Sequence, residues 1–151
     1  MARGKSTDAP GAVLTDAQKE AINSVIASAE QDTGLEICLI LGSKIIKDAR
    51  TDAEHVFLHR GLHQRPGVLV VVVPPARTVE VVVAAGLADR LTDNDCDEAV
   101  RLMTGSFATG DTAGGIERGI VLLAERAGAG RGPVHSEGDM PNVVDLDDHD
   151  K

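Results

Sequence analysis

Residues 68–73, VLVVVV, form an unbroken apolar run between Pro66-Gly67 and Pro74-Pro75. A valine-rich run with no polar alternation predicts a central strand covered on both faces. Leu35–Leu41, LEICLIL, is mostly apolar on both faces and reads the same way. Thr78–Ala84 carries Glu80 in its middle, which predicts a strand nearer a sheet edge. The connection Pro74–Arg77 is short enough for an antiparallel hairpin.

Helical spacing fills the stretches between the strands. Thr15-Asp-Ala-Gln18 has the form of a capping box. After it Ala17, Ala21, Val25 and Ala29 recur every fourth position, flanked by Ile22 and Ile26. This predicts an amphipathic helix that ends near Gly34 as a C′ residue. Thr51-Asp-Ala-Glu54 reads as a second capping box, opening a helix to about Arg60 and stopping at Gly61. Thr92 suits the N-cap of a helix from Asp93 to about Phe107, with acidic residues favourable in its first turn. A last helix is predicted from about Thr112 to Arg126, where Gly115 and Gly119 let that face approach another backbone closely. The order α-β-α-β-β-α-α predicts an α/β fold. Its core is a small mixed β-sheet, with a parallel crossover and an antiparallel hairpin, and helices on both faces. A right-handed crossover is expected.

Three segments are expected along the chain. Residues 1–12 are small and polar and read as disordered, 13–127 as one α/β domain, and 128–151 as a flexible acidic tail. The whole chain has 151 residues, 42% of them hydrophobic, which fits one core. Phe57 and Phe107 are its only aromatic side chains of the Phe, Tyr and Trp kinds, so the core must be aliphatic.

Net charge is −9. Glu137, Asp139, Asp145, Asp147, Asp148 and Asp150 against Lys151 place −5 of it in residues 132–151. Such a surface repels phosphate backbones and offers no aromatic platform for base stacking, so nucleic-acid binding is disfavoured. No apolar h-region opens the chain, and Val68–Pro75 is too short to span a bilayer. A cytoplasmic monomer without a membrane segment is the expectation, with room for a protein partner. Cys38 lies in an apolar strand and reads as a buried small hydrophobe. Cys96 lies in a first helical turn, but Asp93, Asp95 and Asp97 beside it should raise its pKa.

Four patterns are candidates for chemistry. Asp93, Asp95 and Asp97, with Glu98 and upstream Asp89, mimic the opening of a calcium loop. Glu98 stands where that loop needs Gly, and Thr104 where it needs Glu. Oxygen donors alone would suit Ca2+ or Mg2+, while acidic residues at a helix start are stabilising without any metal. His55 and His59 share a helix face, as zinc pairs do, but Gly61 interrupts the helix before His63 and further ligands are missing. Gly110-Asp-Thr-Ala-Gly-Gly115 is a glycine-rich helix entry without the Lys-Ser/Thr of a phosphate-binding loop. Arg77, at the hairpin turn, could hold a phosphate or a partner's carboxylate.

An ordered set of short motifs gives the chain a family resemblance. Leu14-Thr-Asp-Ala-Gln opens a helix that ends in Glu30-Gln-Asp-Thr-Gly34. Gly67-Val-Leu-Val begins the hydrophobic strand, and Arg77 follows in the turn. Gly86-Leu87 precedes Leu91-Thr92-Asp93, and Phe107 precedes Gly110-Asp111 and a Gly-Ile helix. Over about residues 13–126 this resembles the TPM domain, found in thylakoid-lumen, photosystem-repair and receptor-modulator proteins, and within it the shorter actinobacterial branch. The resemblance implies an α/β sandwich with a cleft near the exit of the third strand. It also implies acidic residues there that in some members serve acid-type phosphatase activity or divalent-metal binding. By position Asp93 carries over. Ala84 and Ala85 stand where the family has Gly and Tyr, and Ala88 where an acidic residue is common. These departures weigh against phosphatase chemistry.

Two functional classes follow. One is a non-catalytic accessory or binding module with a weak divalent-cation site. The other is a metal-assisted phosphatase acting on phosphomonoesters. In it Asp93 with Asp89 or Asp95 would hold the ion, and Arg77 would steady the phosphate.

Overall fold

The computed structural model describes residues 14–128 and the backbone of 143–145. Its elements are α1 (Asp16–Thr33), β1 (Glu36–Leu41), α2 (Ala49–His59), β2 (Gly67–Val73), β3 (Thr78–Val83), α3 (Asp93–Ala108), α4 (Thr112–Ala127) and β4 (Val143–Asp145). The sheet order is β3-β2-β1-β4. β1 runs parallel to β2, from Glu36 opposite Gly67 to Leu41 opposite Val72. β2 and β3 form the antiparallel hairpin, with Val71 opposite Glu80. The mixed sheet and the edge position of β3 are as the strand pattern predicts.

Every residue of β1 is buried, as is all of β2 except Val71. The cross-strand row Ile40, Val71 and Glu80 lies on one face, beneath α2. Val81 and Val83 lie on the other, beside α3. There α4 packs against both α3 and α1. Helices therefore cover both faces, and the aliphatic core includes Ile22, Ile26, Leu39, Leu69, Met103, Ile116 and Ile120.

The helix starts follow local chemistry. Thr15 and Gln18 form the expected capping box at α1, and Gly34 closes that helix at φ 78°. Thr92 and Asp95 form a second box at α3. The start of α2 differs from expectation: its N-cap is Asp48, not Thr51. The Asp48 carboxylate accepts the Thr51 amide at 2.8 Å and the Thr51 hydroxyl at 2.8 Å, so Thr51 becomes the capped residue. Val143–Asp145 also departs from expectation. It forms a short strand parallel to β1, Leu39 opposite Val143, where a flexible tail is predicted. The open edge of β1 offers backbone partners that the composition of residues 128–151 does not reveal. The rest of that tail, and residues 1–12, lie outside the described residues.

Two features lock the helices together. Glycines on α4 allow close approach to α3. A Cβ at Gly115 would sit 2.5 Å from Ser106 Cβ, and one at Gly119 would sit 2.6 Å from Met103 Cγ. The second is Arg90, whose guanidinium donates to Thr33 O (2.9 Å), Ala127 O (3.0 Å) and Gly128 O (2.7 Å). It caps the C-terminal ends of α1 and α4, where helices leave carbonyls unpaired and favour a cation.

Three substitutions test this packing, each read from urea unfolding curves. Gly115→Ala lowers stability by about 1–3 kcal/mol, because Ser106 Cβ is fixed to its backbone and the helices must part. Gly105→Ala, with nothing within 4 Å of the added Cβ, raises it by about 1 kcal/mol. Arg90→Met strands three carbonyls and costs about 2–4 kcal/mol.

Candidate functional site

The first turns of α3 face the outer edge of β3 across a cleft of about 390 Å3. Asp93 and Asp97 line it from α3, one helical turn apart, so the helix repeat puts both carboxylates on one side. Glu80 and Arg50 line it from the β3 and α2 side, and Cys96 and Val100 complete the α3 wall. Thr92 sets this geometry by fixing where α3 begins.

Of the acidic residues marked by the sequence, the structure brings only Asp93 and Asp97 into the cleft. Asp95 is turned to other work. Its carboxylate accepts the Thr92 amide at 3.0 Å and pairs with Arg126 at 3.0 Å. The Thr92 amide, helped by Arg126, holds its carboxyl below the usual carboxylate range. Glu98 pairs with the same Arg126. Asp89 is exposed in the turn before α3 and does not line the cleft. Among the described residues, no three His, Cys, Asp or Glu side chains gather into a group that could hold a metal ion. His55, His59 and His63 are exposed.

Arg77 also stands apart. It is exposed on the hairpin turn at φ 51°, outside the cleft lining. The guanidinium in the cleft belongs to Arg50, which the pattern of residues did not single out. Arg50 donates to Glu54 at 3.0 Å, to Glu80 at 3.4 Å and to Val81 O at 2.8 Å. Partial burial pulls its pKa down, but the bonds to Glu54 and Glu80 outweigh this and hold it above the usual range. Its only sequence signal was its place four residues before Glu54, a helical ion-pair spacing.

Cys96 is half-buried against this wall. Burial first, then Asp93, Asp95 and Asp97, push its thiol from 9.0 up to about 11. It is therefore protonated at neutral pH and offers no thiolate nucleophile. Cys38 is fully buried, and burial pushes it to about 11 as well.

The profile of the TPM domain family matches residues 8–126. The chain belongs to the TPM domain family. Three solved structures share the fold. BA42 protein from the psychrophilic bacterium Bizionia argentinensis is 21% identical, with TM-score 0.73 over 87% of this chain and 94% of that one. The N-terminal domain of a P. gingivalis protein is 20% identical, with TM-score 0.68 over 82% and 83%. The N-terminal domain of cg2496 protein from Corynebacterium glutamicum is 13% identical, with TM-score 0.63 over 84% and 84%. No curated protein matches the chain in sequence. Identities this low establish a shared fold and carry no activity across.

In this TPM domain Ala84 is buried, while Ala85 and Ala88 are exposed around the exit of β3. A Cβ at Gly86 would meet nothing within 4 Å, so packing does not demand glycine there. No helix among the described residues is long and apolar enough to cross a membrane.

The raised Cys96 pKa has a direct readout. Because the folded thiol keeps its proton between pH 9.0 and about 11, its thiolate fraction at pH 8 is small. Alkylation of Cys96 by iodoacetamide, followed by mass spectrometry, should run at least about tenfold slower at pH 8 than for an unfolded peptide containing it. The rate should keep climbing past pH 10. A plateau near pH 9 would contradict the burial of the thiol and, after it, the placement of Asp93, Asp95 and Asp97 near it.

Proposed function

We propose that this TPM domain is a non-catalytic accessory module that binds through its acidic cleft. It takes up Ca2+ or Mg2+ weakly there and presents the same carboxylates to a protein partner. The observation that carries this reading is the pairing of Asp93 and Asp97 on one side of α3, opposite Glu80. Carboxylate oxygens suit hard cations, and these ions readily keep water in the remaining positions. Asp93 with Asp97 is the donor pair we assign. Asp95 is committed to Thr92 and Arg126, and Asp89 lies outside the cleft. Two exposed carboxylates, with Arg50 nearby, support weak binding only.

A metal-assisted phosphatase is the weaker reading. It would need a guanidinium at the phosphate, and Arg77 is not in the cleft. Arg50 is, but its Nε and Nη1 are already engaged by Glu54, Glu80 and Val81 O. The protonated Cys96 supplies no nucleophile.

Amide NMR titrations with Ca2+, Mg2+ and Zn2+, paired with a phosphomonoester hydrolysis assay, test this. Ca2+ should give saturable shifts confined to Gly86–Val100, with a dissociation constant of about 1 mM or weaker. Asp93→Asn should abolish them, and neither protein should turn over substrate. Absence of shifts near Asp93 would end the cation reading. Turnover lost in Asp93→Asn would establish the phosphatase instead. Shifts confined to His55 and His59 under Zn2+ would move the metal site to α2.

A further inference from the structure

A second cavity, of about 510 Å3, opens at the carboxyl ends of the parallel strands β1 and β2. Its floor is Ile40, Val71 and Val73, and Val56 of α2 forms part of its wall. Val71 is the one residue of β2 that is not buried, so the cavity is a gap in an otherwise covered sheet. Its roof is the loop from β1 to α2, through Gly42 and Lys44-Ile-Ile-Lys47. Open α/β sheets place ligands beyond the carboxyl ends of their strands, and pockets of roughly 300–1,000 Å3 with mostly apolar walls suit small molecules.

The charges around this gap are unequal in availability. Asp52 and Glu80 line it, but both carboxylates are engaged. Asp52 accepts the amides of Ile46 (2.9 Å) and Lys47 (3.2 Å), and Glu80 accepts from Arg50 at 3.4 Å. Lys44 and Lys47 also line it, both exposed, and neither makes an ion pair among the described residues. Amide bonds leave the Asp52 charge in place and Lys47 also lies near Asp48, so what the rim offers is two ammonium groups with donors to spare over an apolar floor. Ile46, between the two lysines, is 74% exposed and stands at the mouth. The Asp52 carboxylate anchors the loop that carries all three side chains.

We propose that this cavity binds a small anionic amphiphile, a single aliphatic chain ending in a carboxylate. The chain would lie over Ile40, Val71 and Val73, and its headgroup between Lys44 and Lys47. One exposed isoleucine is too little apolar surface to dock on a bilayer, whereas an enclosed apolar floor suits a chain that leaves water singly. This inference does not depend on the acidic cleft; the two share only Glu80 in their linings.

Amide NMR titration of the whole chain with octanoate, decanoate and decanol tests the proposal. Decanoate should give saturable shifts at Ile40, Val56 and Val71, about tenfold tighter than octanoate, since each added methylene leaves water. Decanol should bind about tenfold more weakly than decanoate. The exposed pair Lys44→Gln/Lys47→Gln should lose about tenfold for decanoate and nothing for decanol. Asp93→Asn should leave decanoate binding unchanged, which separates this cavity from the acidic cleft. Three results would overturn the proposal: no saturable shift at the floor residues, equal decanoate affinity in the lysine variant, or cosedimentation with phosphatidylglycerol vesicles without decanoate binding.

Discussion

The parallel pairing of β1 with β2 governs this molecule. Two parallel neighbours cannot be joined by a tight turn, so the chain must leave the sheet and return through α2. Both strands are apolar on both faces, so one layer of helices is insufficient. Once α2 covers one face, α1, α3 and α4 must cover the other. The return point shows how tight the demand is. Gly67 begins β2, and a Cβ there would sit 2.5 Å from Leu62 O. Any larger residue would push the crossover away from the strand it delivers. The hairpin then places β3 at the sheet's margin, and Glu80 is the carboxylate that this margin tolerates.

Arginines decide which of the acidic residues remain available. Arg90 binds three helix-end carbonyls, Arg126 binds Asp95 and Glu98, and Arg50 binds Glu54 and Glu80. Five acidic residues between Asp89 and Glu98 look in sequence like one cluster. In three dimensions the α3 cap takes Asp95, Arg126 takes Glu98, and the turn keeps Asp89 outside. Helix periodicity then leaves Asp93 and Asp97 together.

Much of the fold was legible because its signals are local. The Thr15–Gln18 box, the valine run, the short hairpin and the Thr92 cap each depend on residues a few positions apart. The start of α2 differs from expectation because Asp48 and Thr51 are both capping types, and the helix begins after the one whose side chain accepts the later amide, Asp48. β4 was missed because three residues, Val143–Asp145, become a strand only when β1 supplies the partner. The site was half legible. Asp93 stood out by position, but Arg50 and Asp97 gain their roles through contacts across about thirty positions or from helix phase. Nothing in the residues of Lys44–Lys47 themselves reveals the sheet gap beneath them.

Arg50 also tempers the negative potential of the acidic cleft. Its side chain is 51% exposed and that of Glu80 26%, so their ion pair adds little to stability, in the range of about 0–1 kcal/mol. The bond to Val81 O has a different consequence. β3 is an edge strand, and an outward carbonyl on such a strand is a template for another chain's backbone. The guanidinium fills that acceptor and places a charge where a pairing strand would need to lie. Removing it would raise the negative potential at Asp93 and Asp97, but it would also open the β3 edge. The electrostatic potential of the cleft is thus coupled to protection of the sheet margin that forms one of its walls.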